Sequence, residues 1–210
     1  MPAPQVTRPS TMVMHVRSGD LFTAWRNGNR TFTHAGYNSQ MSGRGQPPLG
    51  FYLRAMAHRQ EESALASTVL VTSPDRASPV VRALELLSAT NALRVPRLRI
   101  SASASFATDL QLLLCARSLV LATSTLSELI ADSPNLRDAY RFGRSCPPPT
   151  EKRCARPPPS ATAATREWCV TREGVYSPVD GSWDNTDAQQ LEMLLGGNAT
   201  WPTKACHAPG

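Results

Sequence analysis

One property restricts this chain more than any other: from Val13 to Ile130, short apolar runs alternate with longer stretches whose apolar residues recur at helical spacing. TMVMHV, residues 11–16, reads as a buried strand that stops at a polar break. In GQPPLGFYLRAMAHRQEE, Pro47 and Pro48 suit a first helical turn, while Leu49, Leu53, Met56 and Ala57 fall on one face. STVLVTSPD, residues 67–75, is a second strand ending in a polar turn, and ASPVVRALELLSAT is a helix with Pro79 in its first turn. LRVPRLRI predicts a third strand that Pro96 confines to an edge or makes irregular. FATDLQLLLCARS then reads as a helix, residues 118–122 as a strand, and STLSELIADS as a helix capped by Ser124 or Thr125. Such alternation with short connections predicts an α/β fold: a Rossmann-like open parallel sheet with helices on both faces.

With 210 residues, the chain has room for one sizeable core plus appendages. We divide it into an N-terminal extension over 1–10, a Rossmann-like domain over 11–144, a Pro/Ala-rich linker over 145–165 and a small Cys-containing appendage over 166–210. The linker holds too little apolar surface to fold alone. Residues 23–46 read as a long loop rich in Asn, Gly, Ser and Thr. A loop of that length in a compact domain is more often functional than idle.

The net charge of +6 suits an anionic partner. The arginines are scattered and lack interleaved aromatics, which argues against nucleic acid. Five cysteines without CxxC spacing and four distant histidines argue against a zinc site. Four cysteines, Cys146, Cys154, Cys169 and Cys206, follow position 145, which fits disulfides in an oxidising compartment. A Cys146–Cys154 bridge would clip the linker. Sequons at Asn29 and Asn198 agree with a secretory route. No apolar stretch reaches the roughly 18–20 residues of a membrane span. A membrane anchor or targeting signal would have to lie in a segment this chain does not contain.

In open α/β sheets, ligands bind outside the carboxyl ends of the strands. Three polar stretches follow the clearest strands: HVRSGD, Thr72 to Asp75, and Ala122 to Ser127. Arg17 offers a planar fork of donors suited to phosphate, and Ser18 with Gly19 makes a turn whose N–H groups can approach an anion. Ser124 and Thr125 would bring hydroxyls and a helix start to the same anion. Asp109, one helix upstream, could accept hydrogen bonds from a base or ribose. A structural reading stays open for each: Asp20 as a turn cap, Ser124 as a helix cap, His15 as a core histidine.

HVRSGD resembles the H-x-R-x-G-D signature of the fucosyltransferase superfamily that makes α1,2, α1,6 and protein O-linked fucosides. DLQLLLCARSLVLATSTLSELIA is similar to a later segment of that superfamily, an acid followed by an apolar strand and a pair of small hydroxyl residues. GQPPLGFYLRAM and VLVTSPDRASPVVRAL fill the places of its acceptor-side helix and of a strand ending in an acidic turn. The resemblance spans roughly residues 11–142. It implies the donor-binding half of a GT-B type glycosyltransferase that uses a GDP-sugar, most simply GDP-fucose, without a metal or other cofactor. Arg17 would contact the β-phosphate, His15 and Asp20 would belong to the donor pocket and its loop, Asp109 would meet guanine, and Ser124 and Thr125 would touch phosphates. Arg17 and Asp20 are then the catalytic candidates, and Ser18, Gly19 and Asp75 complete the donor-binding set. Asp20, Asp75 and the 23–46 loop are alternatives for a general base. The acceptor would be a glycan or glycoprotein in the Golgi or secretory lumen.

Two departures from the superfamily pattern stand out. Ser18 occupies a place where some relatives carry a second arginine, and residues 1–10 are too few to supply the facing Rossmann-like half. A truncated chain, or a non-catalytic remnant that binds a nucleotide sugar, is therefore an alternative. A basic interaction protein docking partners through its Pro-rich segment is another.

Overall fold

Strand pairing follows the apolar runs. A computed structural model describes residues 8–18, 46–93, 97–102, 105–143, 165–171, 186–195 and 199–204, with the backbone of 25–26 and 29–30. Strand β1 (Thr11–His15) buries Met12, Val13 and Met14 completely. A strand covered by helices on both faces needs apolar residues at odd and even positions alike, which is why its run is continuous rather than alternating. The short strands β2 (Trp25–Arg26) and β3 (Asn29–Arg30) pair antiparallel in a ribbon of their own.

In the main sheet, β1 lies parallel to β4 (Ser67–Val71) on one side and to β6 (Ser118–Val120) on the other. Beyond β4 lies β5 (Leu98–Ser101), at the margin to which Pro96 assigned it. Beyond β6 lie β7 (Asp138–Phe142), β8 (Arg166–Val170) and the antiparallel β9 (Thr203–Lys204). The strand order is β5-β4-β1-β6-β7-β8-β9. Its six parallel strands, counted in chain order, run 3-2-1-4-5-6, the doubly wound Rossmann-like order. The expected α/β architecture with a largely parallel sheet is therefore the observed one.

Helices α1 (Leu49–Glu62) and α2 (Pro79–Ala89) cover one face, where Phe51, Tyr52, Val80 and Leu84 meet Met12, Met14 and Leu70. Helices α3 (Phe106–Leu114) and α4 (Thr125–Ala131) cover the other, where Leu113 and Ile130 meet Val13 and Leu119. Helix α5 (Asp187–Leu195) returns to the first face through Met193. Each large apolar side chain so buried stabilises the fold by roughly 1.5–3 kcal/mol. Helix α1 is rotated from the expected face. Its centre is Phe51, Tyr52, Ala55 and Met56, and the expected Leu49 and Leu53 flank it half-buried, because two adjacent aromatic rings fill more core than two leucines. Two residues past the end of α2, Asn91 takes a φ of 54°, which lets the Ala92 N–H reach the Leu87 carbonyl.

The segment over 166–210 is not set apart as expected. Its described residues extend the same sheet and core: Trp168 Nε1 donates to Asp138 Oδ1, and Val170 and Met193 join the first-face cluster. Pairing of β8 with β7 supplies the apolar partner that a 45-residue appendage lacks. At the other end of the chain, Ser10 accepts the Ala66 N–H, which ties the extension to β4. The linker's Cys146 and Cys154, and Cys206, lie outside the described residues. Among the described residues no helix is long and apolar enough to cross a membrane.

Candidate functional site

The order of strands reverses between β1 and β6, so the crevice beyond their carboxyl ends is where a doubly wound sheet receives a ligand. HVRS leaves β1 at that point. His15 is the last strand residue, on the same side of the sheet as Val13, and it is 8 % exposed. Its Nδ1 lies 3.1 Å from Ser127 Oγ, on the first turns of α4. Ser127 Oγ lies 3.0 Å from Ser124 Oγ, which also accepts the Ser127 N–H at 3.1 Å. Of the two caps the sequence offers, Ser124 and Thr125, Ser124 is the one that caps α4. The same hydroxyl is also the outer end of a chain reaching back to His15. Ser124 is half-buried and Thr125 exposed.

Burial, and then the charge of Arg17, lower the His15 pKa from its ordinary 6.5 to about 4. The ring is therefore neutral at physiological pH. Its unfolded counterpart binds a proton below 6.5, so between about 4 and 6.5 the unfolded state holds more protons than the folded one. The contribution of His15 to stability is complete above pH 6.5 and is lost as pH falls toward 4. Replacing it, His15→Gln, is expected to flatten that acid limb in denaturant titrations at pH 4, 5, 6 and 7, while an unchanged slope would rule the ring out as its source.

Arg17 is half-buried just past the strand and close enough to His15 to act on its charge. Ser18 points elsewhere. It is 2 % exposed, donates to Asp75 Oδ1 at 2.7 Å and accepts the Ser78 N–H at 2.9 Å. Asp75 Oδ1 also accepts the Ala77 N–H at 2.9 Å. Ser18 and Asp75 thus fasten the end of β1 to the start of α2, which is a brace rather than an evident ligand contact. An arginine at position 18 would not fit this buried brace. Removing the hydroxyl, Ser18→Ala, leaves the buried Ser78 N–H without its acceptor and is expected to cost about 1–3 kcal/mol, read as a lower denaturation midpoint at unchanged slope.

Gly19 and Asp20 lie outside the described residues. Asp109 lies apart from the His15 group: it sits on α3 with Oδ1 at 3.4 Å from the donating Ser101 hydroxyl, at the end of the marginal β5. Burial raises its pKa and the Ser101 bond partly opposes that. Two strand spacings, roughly 10 Å, separate β5 from β1, so a ligand touching both Asp109 and Arg17 would lie across the strand ends. Two residues join the site that sequence reasoning did not single out, Ser127 and Ser78. Ser127 was legible in part, since it follows Ser124 at the three-residue spacing of one helix face. Among the described residues no group of three or more His, Cys, Asp or Glu is placed to hold a metal ion.

The arrangement offers a guanidinium, a neutral buried imidazole and a partly exposed hydroxyl at the switch point of a doubly wound sheet, a set suited to an anionic oxygen. Compared with protein-family models, curated proteins and solved structures, the chain matches none, and its functional reading rests on these residues.

Proposed function

We propose that this chain is the donor-binding half of a GT-B type glycosyltransferase, an inverting fucosyltransferase-like enzyme that takes GDP-fucose and serves a glycan or glycoprotein acceptor in the secretory lumen. The observation that carries the reading is the position of HVRS: the segment resembling the superfamily signature leaves the central strand at the topological switch point, opposite the Ser124–Ser127 turn. In this reading Arg17 meets the β-phosphate, Ser124 and Thr125 meet phosphate oxygens, and Asp109 accepts from guanine. In the same reading Asp20, which lies outside the described residues, is a donor-pocket group. Ser18 and Asp75 act indirectly, by holding the loop that presents Arg17.

Inverting transfer passes through an oxocarbenium-like sugar as charge accumulates on the departing diphosphate. Donors aimed at that phosphate therefore stabilise the transition state more than the ground state. Arg17 suits this task because its fork is permanently charged and planar.

Calorimetric titration of the whole chain with GDP, with UDP as control, tests the proposal. Saturable binding of GDP and none of UDP is expected. Equal binding of both would remove the guanine reading at Asp109, and binding of neither would overturn the proposal. Binding without transfer from GDP-fucose to any glycan acceptor would favour a non-catalytic nucleotide-sugar-binding protein.

A further inference from the structure

The His15, Ser127 and Ser124 side chains form a continuous line of hydrogen-bonding atoms from a buried ring to a partly exposed hydroxyl. His15 Nδ1 and Ser127 Oγ are 3.1 Å apart, and Ser127 Oγ and Ser124 Oγ are 3.0 Å apart. Each hydroxyl owns a single proton. Two arrangements satisfy both contacts without stranding a buried proton; a third, in which Nδ1–H and the Ser124 hydroxyl both donate to Ser127, would leave the Ser127 proton with no acceptor among the described residues, in a side chain 3 % exposed. In the first, Ser124 donates to Ser127 and Ser127 donates to an unprotonated Nδ1, which leaves Ser124 with only a lone pair to offer outward. In the second, Nδ1–H donates to Ser127 and Ser127 donates to Ser124, which leaves the Ser124 proton free to donate outward. The Ser127 N–H bond to Ser124 Oγ is compatible with both, because it uses one lone pair and no hydroxyl proton. What Ser124 can offer a ligand is therefore set by the tautomer of a ring two side chains away.

We propose that Ser127 is a positioning residue that makes this line a polarity switch: an anionic oxygen on the Ser124 hydroxyl selects the Nδ1–H tautomer of His15, and a ligand offering a donor there selects the reverse. The inference rests on the reading that a phosphate oxygen reaches Ser124. It adds a discrimination that Arg17 cannot provide, because a guanidinium only donates whereas this line reverses with the ligand. Its burial keeps water from satisfying the inner atoms independently: Ser127 is 3 % exposed, so a change at the outer end must be passed along rather than absorbed.

Nitrogen-15 NMR of the histidine rings reads the tautomer directly, with the His15 signals assigned by their loss in His15→Gln. Binding is followed in parallel by calorimetry, with GDP and inorganic pyrophosphate as the two probes. Saturation with either is expected to move Nδ1 toward the protonated range and Nε2 toward the unprotonated one. In Ser127→Ala the His15 response should vanish while binding persists, weakened about threefold to tenfold. Ser124→Ala, which keeps the inner contact, should also lose the response, and it serves if Ser127→Ala folds poorly. A probe that binds with no change at His15, the same change in both variants, or both ring nitrogens protonated in the complex would each overturn the switch. Binding of pyrophosphate but not GDP, with the His15 shift intact, would sink the guanine-nucleotide reading and keep the switch. Binding of neither would sink both.

Discussion

Arg17→Ala is expected to weaken GDP binding or transfer by about a hundredfold or more, on the order of 3 kcal/mol, the typical loss when one preorganised charged donor is removed from a developing anion. The effect should fall on the nucleotide rather than on the fold, since Arg17 is half-buried and follows the last paired residue of β1, whereas the strand's stability lies in Met12, Val13 and Met14. A second readout separates a lost contact from a distorted site. The charge of Arg17 is one of the two causes that hold His15 low, so its removal should raise the His15 pKa toward 6.5 while burial keeps it below. Arg17→Lys keeps the charge and discards the fork. It should restore the His15 pKa but only part of the affinity, because bidentate recognition is what a lysine cannot reproduce. Unchanged GDP affinity in Arg17→Ala would remove the central residue of the proposal.

The largest loss of stability is expected at the opposite end of the sheet. Asp138, 3 % exposed at the start of β7, accepts from Arg166 Nη2 at 2.7 Å and lies 3.4 Å from Arg59 Nη1. Trp168 Nε1 donates to it at 3.4 Å. Arg59 is itself 7 % exposed; its Nη2 donates to the Pro9 carbonyl, and its Nε has no hydrogen-bond partner among the described residues. Removing the carboxylate in Asp138→Ala strands that guanidinium in the interior, at a cost of about 3–5 kcal/mol. Arg166 suffers less because it is partly exposed and retains Glu62 at 3.3 Å. Denaturant unfolding of Asp138→Ala measures the loss. The double substitution Asp138→Leu/Arg59→Met removes the stranded charge along with its partner and should recover much of it. Equal losses in the two proteins would mean that the ion pair is not the cause.

Where sequence and structure diverge, the reason is tertiary pairing. The strands β1, β4 and β6 announce themselves because both of their faces are buried, which leaves an unbroken apolar run. DAYRF does not, since it opens on an aspartate and carries an arginine. It is a strand because Arg59 and Arg166 neutralise Asp138 and because Ala139, Tyr140 and Phe142 are buried. REWCV is hidden for the same reason: it lies in a Pro- and Cys-rich tail, and what makes it a strand is its parallel register with β7. At the site, periodicity located the strand ends and hence the neighbourhood of His15 and Arg17. Periodicity could not show that Ser18 pairs with Asp75, 57 residues away, or that His15 meets Ser127, 112 residues away. Those partnerships depend on which strands become neighbours, and local sequence carries no such information.

The placement of β1 between two strands that both follow it in the chain has a consequence for biosynthesis. Strand β1 emerges well before its second neighbour, β6, since His15 must wait for a helix 112 residues downstream. At about 5–20 residues per second, that wait lasts roughly 5–20 seconds. Throughout it, one side of an almost wholly apolar strand has no neighbour, a state that favours chaperone capture over spontaneous folding. The nascent chain is therefore most exposed to misassembly while its future ligand crevice is still half built.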